Sequence, residues 1–209
     1  MILIIKNGYC DTQIMKYLDE DSKVISSFNL REIEYYKEHN DLYSLVIVLG
    51  GPQSAKEIEQ HDNLINLVKF ITFCIEINKP ILGICLGAQV ISRIFNCEIK
   101  TLNELKCSYI NISDFDNIFR CHQEYIIPND MIEVIDYFDF MPYIFKIKGK
   151  NIYGLQCHPD IEPNLVLNFT NDNDILSFVS NNSDMINENN KKLIQYILDK
   201  LRLKYGLDN

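Results

Sequence analysis

The sequence predicts an α/β fold: three layers, with a mainly parallel central sheet and helices on both faces. Three observations predict it. Short apolar runs recur at residues 1–5, 45–49 and 81–84, each the length of a strand buried on both sides. After the second run, apolar residues fall at three- and four-residue steps, the spacing of a helix with one core face. Glycine and proline, as in Gly50-Gly51-Pro52 and Pro80, mark the changes from one period to the other. Strand, helix and strand in this order make βαβ units.

The elements follow in turn. Residues 1–5 give a first strand; after Gly8, Ile14, Met15 and Leu18 give a helical pattern. Residues 45–49 (Leu-Val-Ile-Val-Leu) form a second strand, stopped by Gly50-Gly51-Pro52. Leu64, Leu67, Val68, Ile71 and Ile75 line one face of a long helix. Residues 81–84 form another strand, and Leu86–Phe95 reads as a helix. The second half is richer in strands, expected at 108–112, 131–136, 143–147 and 152–157. Over 171–190 the composition shifts to Asn, Asp and Ser, which predicts a surface loop or insertion. Leu193, Ile194, Ile197, Leu198 and Leu201 predict a terminal helix over 191–205. With no internal repeat and no linker, residues 1–209 are expected to form a single domain.

Composition narrows the function. A formal net charge of −9 argues against a nucleic-acid surface and against an anionic membrane, both of which need clustered Lys and Arg. The first apolar run is too short for a signal peptide, and no stretch approaches the ~18 apolar residues of a membrane helix. The seven cysteines are odd in number and carry no CxxC spacing, so no disulfide framework is expected and a reducing, cytoplasmic setting is.

The most informative segment is Gly83-Ile84-Cys85-Leu86-Gly87, which stands between a strand and a helix. Gly-x-Cys-x-Gly there has the form of a nucleophile elbow, in which a sharp turn presents the central side chain above the strand end. The helix N-terminus beside it favours thiolate, the reactive form. The same five residues also fit a buried, inert cysteine in a tight turn. Gly50-Gly51-Pro52 ends a neighbouring strand at the same sheet edge, where α/β proteins bind ligands. The N–H groups of such a loop, with that of Leu86, would suit an oxyanion hole; the loop alone also fits an ordinary turn.

The base must come from four histidines. His39 and His61 lie in polar surroundings, whereas His122 and His158 each end a strand-like run. His158 is the stronger candidate, with Asp160 two residues on to orient its ring. Cys121-His122 and Cys157-His158 suggest metal ligands, but adjacent strand residues point to opposite faces, so no metal is expected.

Gly83–Gln89, Gly50-Gly51-Pro52 and Gly154–Asp160 together resemble the three signature segments of class I glutamine amidotransferases, in order and in spacing, over roughly residues 1–170. The similarity is greatest to the glutaminase subunit of GMP synthase and the glutaminase of anthranilate synthase. The resemblance implies a flavodoxin-like architecture and hydrolysis of glutamine to glutamate and ammonia through a cysteinyl thioester, with no cofactor. It implies Cys85 as nucleophile, His158 as base and acid, Asp160 as third triad member, and the N–H groups of Gly51 and Leu86 as oxyanion hole. Gln89, Gln123 and Glu124 are the substrate-binding positions it implies. A separate ATP-dependent synthetase is the implied partner, since the chain has no P-loop. Two alternatives stand beside this reading: a stand-alone γ-glutamyl hydrolase or peptidase, and a non-catalytic binding module. Three departures from the family pattern are Asp160 in place of Glu, Cys157 in a place usually aromatic, and a shorter stretch between Cys97 and His122 whose Phe95-Asn96-Cys97 lacks the usual glycines.

Overall fold

A computed structural model of the chain describes residues 1–8 and 11–202. The buried apolar runs become strands β1 (Ile2–Lys6), β3 (Leu45–Val48), β4 (Ile81–Ile84) and β9 (Ile152–Leu155). They lie side by side and parallel in that order, and β2 (Ser22–Ser26) adds to the outer side of β1. Beyond β9 the sheet turns antiparallel through β8 (Met141–Ile147) and β7 (Ile132–Phe138), completing seven strands. The order β2-β1-β3-β4-β9 is the flavodoxin-like arrangement.

Alternation along each strand divides the core into two layers. Leu3, Ile5, Val46 and Val48 face one way and pack on α1 (Leu30–Glu38), α2 (Asp62–Glu76) and α3 (Leu86–Ile94). Ile2, Ile4, Ile47, Leu82 and Ile84 face the other way, onto Leu193, Ile194, Ile197 and Leu198 of α4 (Asn173–Arg202). The three-layer fold is therefore the one the sequence predicts. Asn96, just past α3, holds φ +62°, so an asparagine takes the left-handed conformation that usually falls to glycine after a helix.

Three expectations are corrected. The loop expected over 171–190 is helical, because α4 begins at Asn173. Val179, Ile186, Asn190 and Leu193 are buried at helical spacing, an apolar stripe thin enough to be hidden by the polar residues around it. Asn181, Asn182 and Ser183 turn their side chains back onto the carbonyls four residues earlier, and the helix kinks at Asn182. The terminal helix expected over 191–205 is the second part of α4 as far as Arg202; residues 203–205 lie outside the described residues. The pattern at Ile14, Met15 and Leu18 forms a single 3-10 turn, Ile14–Tyr17.

The third correction concerns the cysteines. A long antiparallel ribbon of β5 (Glu98–Ile112) and β6 (Phe115–Ile127) stands apart from the main sheet. Its register sets Cys107 opposite Cys121, and the two are joined as a disulfide. Cysteine spacing does not reveal a hairpin register, which depends on the turn and on bulges. Among the described residues, no helix is long and apolar enough to cross a membrane.

Candidate active site

The carboxyl ends of β1, β3, β4 and β9 bring together residues that are far apart in the chain. Cys85 stands between β4 and α3 with φ +49° and ψ −108°, a strained conformation for any residue with a side chain. Its N–H donates to Leu155 O at 2.7 Å, fixing the turn to the neighbouring strand. The flanking glycines are needed for space. A Cβ on Gly87 would lie 2.1 Å from Val48 O, and one on Gly83 would lie 2.7 Å from Ala88 N. The elbow thus lets α3 pack directly on the sheet ends. The Leu86 N–H belongs to the first turn of α3, where backbone donors have no intrahelical partner.

Gly50 lies against both His158 and Cys85. A Cβ there would sit 2.7 Å from His158 Cε1 and 3.5 Å from Cys85 Cβ. Gly51 packs against Asn7, which ends β1, and Gln53 Nε2 donates to Asn7 O at 2.8 Å. The Asn7 amide in turn donates to Leu49 O at 2.7 Å. The glycine loop is thereby held to β1 at its near end.

His158 is buried, and its N–H donates to Phe119 O at 2.7 Å. Its Nδ1 lies 3.1 Å from Asp160 Oδ1, and both side chains are almost wholly enclosed. Asp160 is pinned through its own carbonyl, which accepts from the Gln13 N–H at 2.9 Å and the Thr12 hydroxyl at 3.1 Å. Burial opposes a charged imidazole, but the Cys85 sulfur and then the Asp160 carboxylate outweigh it. His158 therefore holds its proton well above the ordinary histidine range. Glu162, the other carboxylate within reach by sequence, pairs instead with Lys16.

Gln89 is buried and donates through Nε2 to Glu124 O at 2.9 Å and to Gln156 Oε1 at 3.3 Å. Gln156, fully buried, donates in turn to Cys85 Sγ at 3.7 Å. Gln123 is exposed at the rim and donates to Leu102 O. The Glu124 carboxylate is taken up by Ser54 and Ala55. Behind them lies a second polar chain. Burial above all, with Arg120 and His158 nearby, lowers the His122 pKa to about 4, so its ring is neutral. Arg120 donates to Tyr143 Oη at 3.1 Å; with His122 neutral, Tyr143 donates to His122 Nε2 at 2.6 Å and His122 Nδ1–H donates to Glu124 O at 3.0 Å. Cys85, His158, Gly51, Gln89, Glu124 and Phe169 line one cavity of about 620 Å³.

The profile of the family described as glutamine amidotransferase class-I matches residues 6–168, most of the chain and every residue of this cluster. The chain belongs to that family. A glutamine amidotransferase-like protein of Acanthamoeba polyphaga mimivirus is 44% identical over 203 residues, 97% of each chain. The glutamine-hydrolyzing component of GMP synthase from Methanococcus maripaludis is 29% identical, over 77% of this chain and 88% of that one. Among solved structures, a glutamine amido transferase from Methylobacillus flagellatus shares the fold with a TM-score of 0.75, 12% identity and coverage of 95% and 94%.

In this amidotransferase the sequence brings forward Cys85, His158, Asp160, Gly51, Leu86 and Gln89, and all of them line the cavity or its immediate wall. Gln156 does not stand out in the sequence. A signal for it was present, since in an extended chain alternate residues share a face and Gln156 precedes His158 by two. Replacing Gln156 by Leu removes the donor to Cys85 Sγ while keeping the bulk. A hydrogen bond to a charged group contributes about 1.5–3 kcal/mol, so kcat for glutamine is expected to fall at least about tenfold. Steady-state kinetics on free glutamine measures it.

Proposed function

We propose that the chain hydrolyses the side-chain amide of glutamine and supplies the ammonia to a separate synthetase. The observation that carries this reading is Cys85 on a strained elbow beside a buried, proton-holding His158 that is tied to Asp160, with Gly50 against both. The Cys85 thiolate attacks the amide carbon, and the N–H groups of Gly51 and Leu86 receive the developing oxyanion. His158 passes its proton to the leaving nitrogen, ammonia departs and a γ-glutamyl thioester remains. Water, deprotonated by His158, then adds to the thioester carbon; the C–S bond breaks, releasing glutamate and restoring the thiolate–imidazolium pair. Asp160 reaches His158 although it is one methylene shorter than glutamate. Similarity to the glutamine-hydrolyzing component of GMP synthase supports an ATP-dependent synthetase as partner.

The experiment is labelling with a glutamine-mimicking diazo-ketone, followed by mass spectrometry. One adduct on Cys85, lost in the His158→Ala variant and accompanied by glutamate release from glutamine, is expected. An unlabelled Cys85, under conditions that modify another active amidotransferase, overturns the reading.

A second reading is favoured by the cavity, whose volume of about 620 Å³ lies in the range that holds drug-sized ligands. A γ-glutamyl hydrolase would use the same residues with a larger leaving amine. Higher kcat/KM on a γ-glutamyl dipeptide than on glutamine would select it.

A further inference from the structure

The glycine loop is anchored at both ends: near Gly51 by Asn7, and at its far end by Glu124, from the ribbon strand β6. The Glu124 carboxylate accepts from Ser54 Oγ at 2.5 Å through one oxygen and from the Ala55 N–H at 2.8 Å through the other. Ser54 Oγ also accepts from the Lys56 N–H at 3.2 Å, so its hydroxyl is committed on both sides. Lys56 Nζ reaches Thr101 Oγ1 at 3.1 Å, and Thr101 is the residue opposite Glu124 in the ribbon ladder. The main chain of Glu124 is equally committed, accepting from Gln89 and His122. Glu124 thus joins the loop, α3 and the ribbon at one point.

A carboxylate accepts at both oxygens and donates at neither. Here both oxygens are used by the loop. Gly50 and Gly51 lie four residues or fewer from the clamped Ser54, and Gly50 has no room to shift toward His158. Where the far end is fixed therefore sets where the Gly51 N–H points.

We propose that Glu124 is a positioning residue for the oxyanion hole: its side chain holds the Gly50–Ala55 loop in its working shape and does not grip glutamine. This rests on the glutaminase reading above.

The test compares Glu124→Ala, Glu124→Gln and Ser54→Ala with the unaltered chain. It reads kcat and KM for glutamine and the rate of Cys85 alkylation by iodoacetamide. Alkylation needs the thiolate but passes through no oxyanion, so it separates the loop from the nucleophile. Losing one oxyanion-hole donor costs about 10²–10³ in rate. Glu124→Ala is expected to lower kcat by about 10²-fold on that scale, with KM and alkylation nearly unchanged. Glu124→Gln keeps an acceptor for the Ala55 N–H and is expected to recover much of the loss. Ser54→Ala should lower kcat in the same sense, and the double variant with Glu124→Ala should be no worse than Glu124→Ala alone.

A raised KM at unchanged kcat would make Glu124 a substrate-gripping group and overturn the proposal. So would unchanged kinetics, or a loss of alkylation parallel to the loss of kcat. If the unaltered chain releases no glutamate from glutamine, the glutaminase reading fails and the proposal with it. An active unaltered chain with an equally active Glu124→Ala variant defeats the proposal alone.

Discussion

His158→Ala is expected to lower kcat for glutamine by at least about 10⁴-fold, the scale seen when the base of a catalytic triad is removed. Two steps lose their proton carrier at once: ammonia departs unprotonated, and water must attack the thioester unaided. The variant should also change how Cys85 alkylation depends on pH. In the intact chain the imidazolium stands beside the sulfur with its proton held well above the ordinary histidine range. Without it, alkylation by iodoacetamide should begin only at more alkaline pH. The stability term has a definite sign. An unfolded histidine titrates near about 6.5 and the folded one higher, so its contribution is full below about pH 6.5. It fades as pH rises through the folded value, and denaturant titrations of the variant should lack that slope. Asp160→Ala leaves the base in place, and on the same scale its cost should be about 100-fold smaller than that of His158→Ala. Equal losses from the two substitutions would mean that Asp160 does more than orient the ring.

Gly50→Ala should be nearly as damaging to turnover, through geometry alone. The added methyl would lie 2.7 Å from His158 Cε1 and 3.5 Å from Cys85 Cβ. The second distance is ordinary contact; the first is not. Either the loop retreats, taking the Gly51 N–H with it, or the ring is pushed off its line between Asp160 and Cys85. A displacement of about 1 Å in such a site costs about 10²-fold. We expect kcat to fall by about that factor while the thermal midpoint moves little, because the loop lies at the cavity wall. Kinetics and thermal unfolding of one preparation decide it. A large drop in the midpoint with the remaining fraction fully active would contradict the expectation.

Much of the architecture could be read from the sequence because buried parallel strands are apolar on both faces. β1, β3 and β4 appear as uninterrupted runs. β2 does not, because it is the sheet's outer strand, and Ser22-Lys23-Val24-Ile25-Ser26 buries only Ile25. α1 is likewise hidden, with Ile33 and Tyr36 alone buried among charged neighbours. In α4 the apolar stripe competes with asparagines whose side chains satisfy the helix's own carbonyls. The site was legible where the chemistry lies in residue type: a cysteine between glycines, and a histidine followed by an acid. It was illegible where it lies in who meets whom. Nothing in Pro52-Gln53-Ser54-Ala55 foretells that Glu124, 70 residues on from Ser54, closes on it. The Cys107–Cys121 pairing is hidden for the same reason.

The tie between Thr12–Gln13 and Asp160 bears on when the site comes into being. A ribosome makes a chain from its N-terminal side, and the early strands can pair while later ones are still unmade. During that interval a growing chain already carries the cysteine and its helix, but neither the imidazole nor the acid that steadies it. Thr12 must wait for a residue made 148 positions later before that acid is held in place. Incomplete chains are therefore expected to be silent toward glutamine, and the reaction to switch on only when the two ends of the matched region have met.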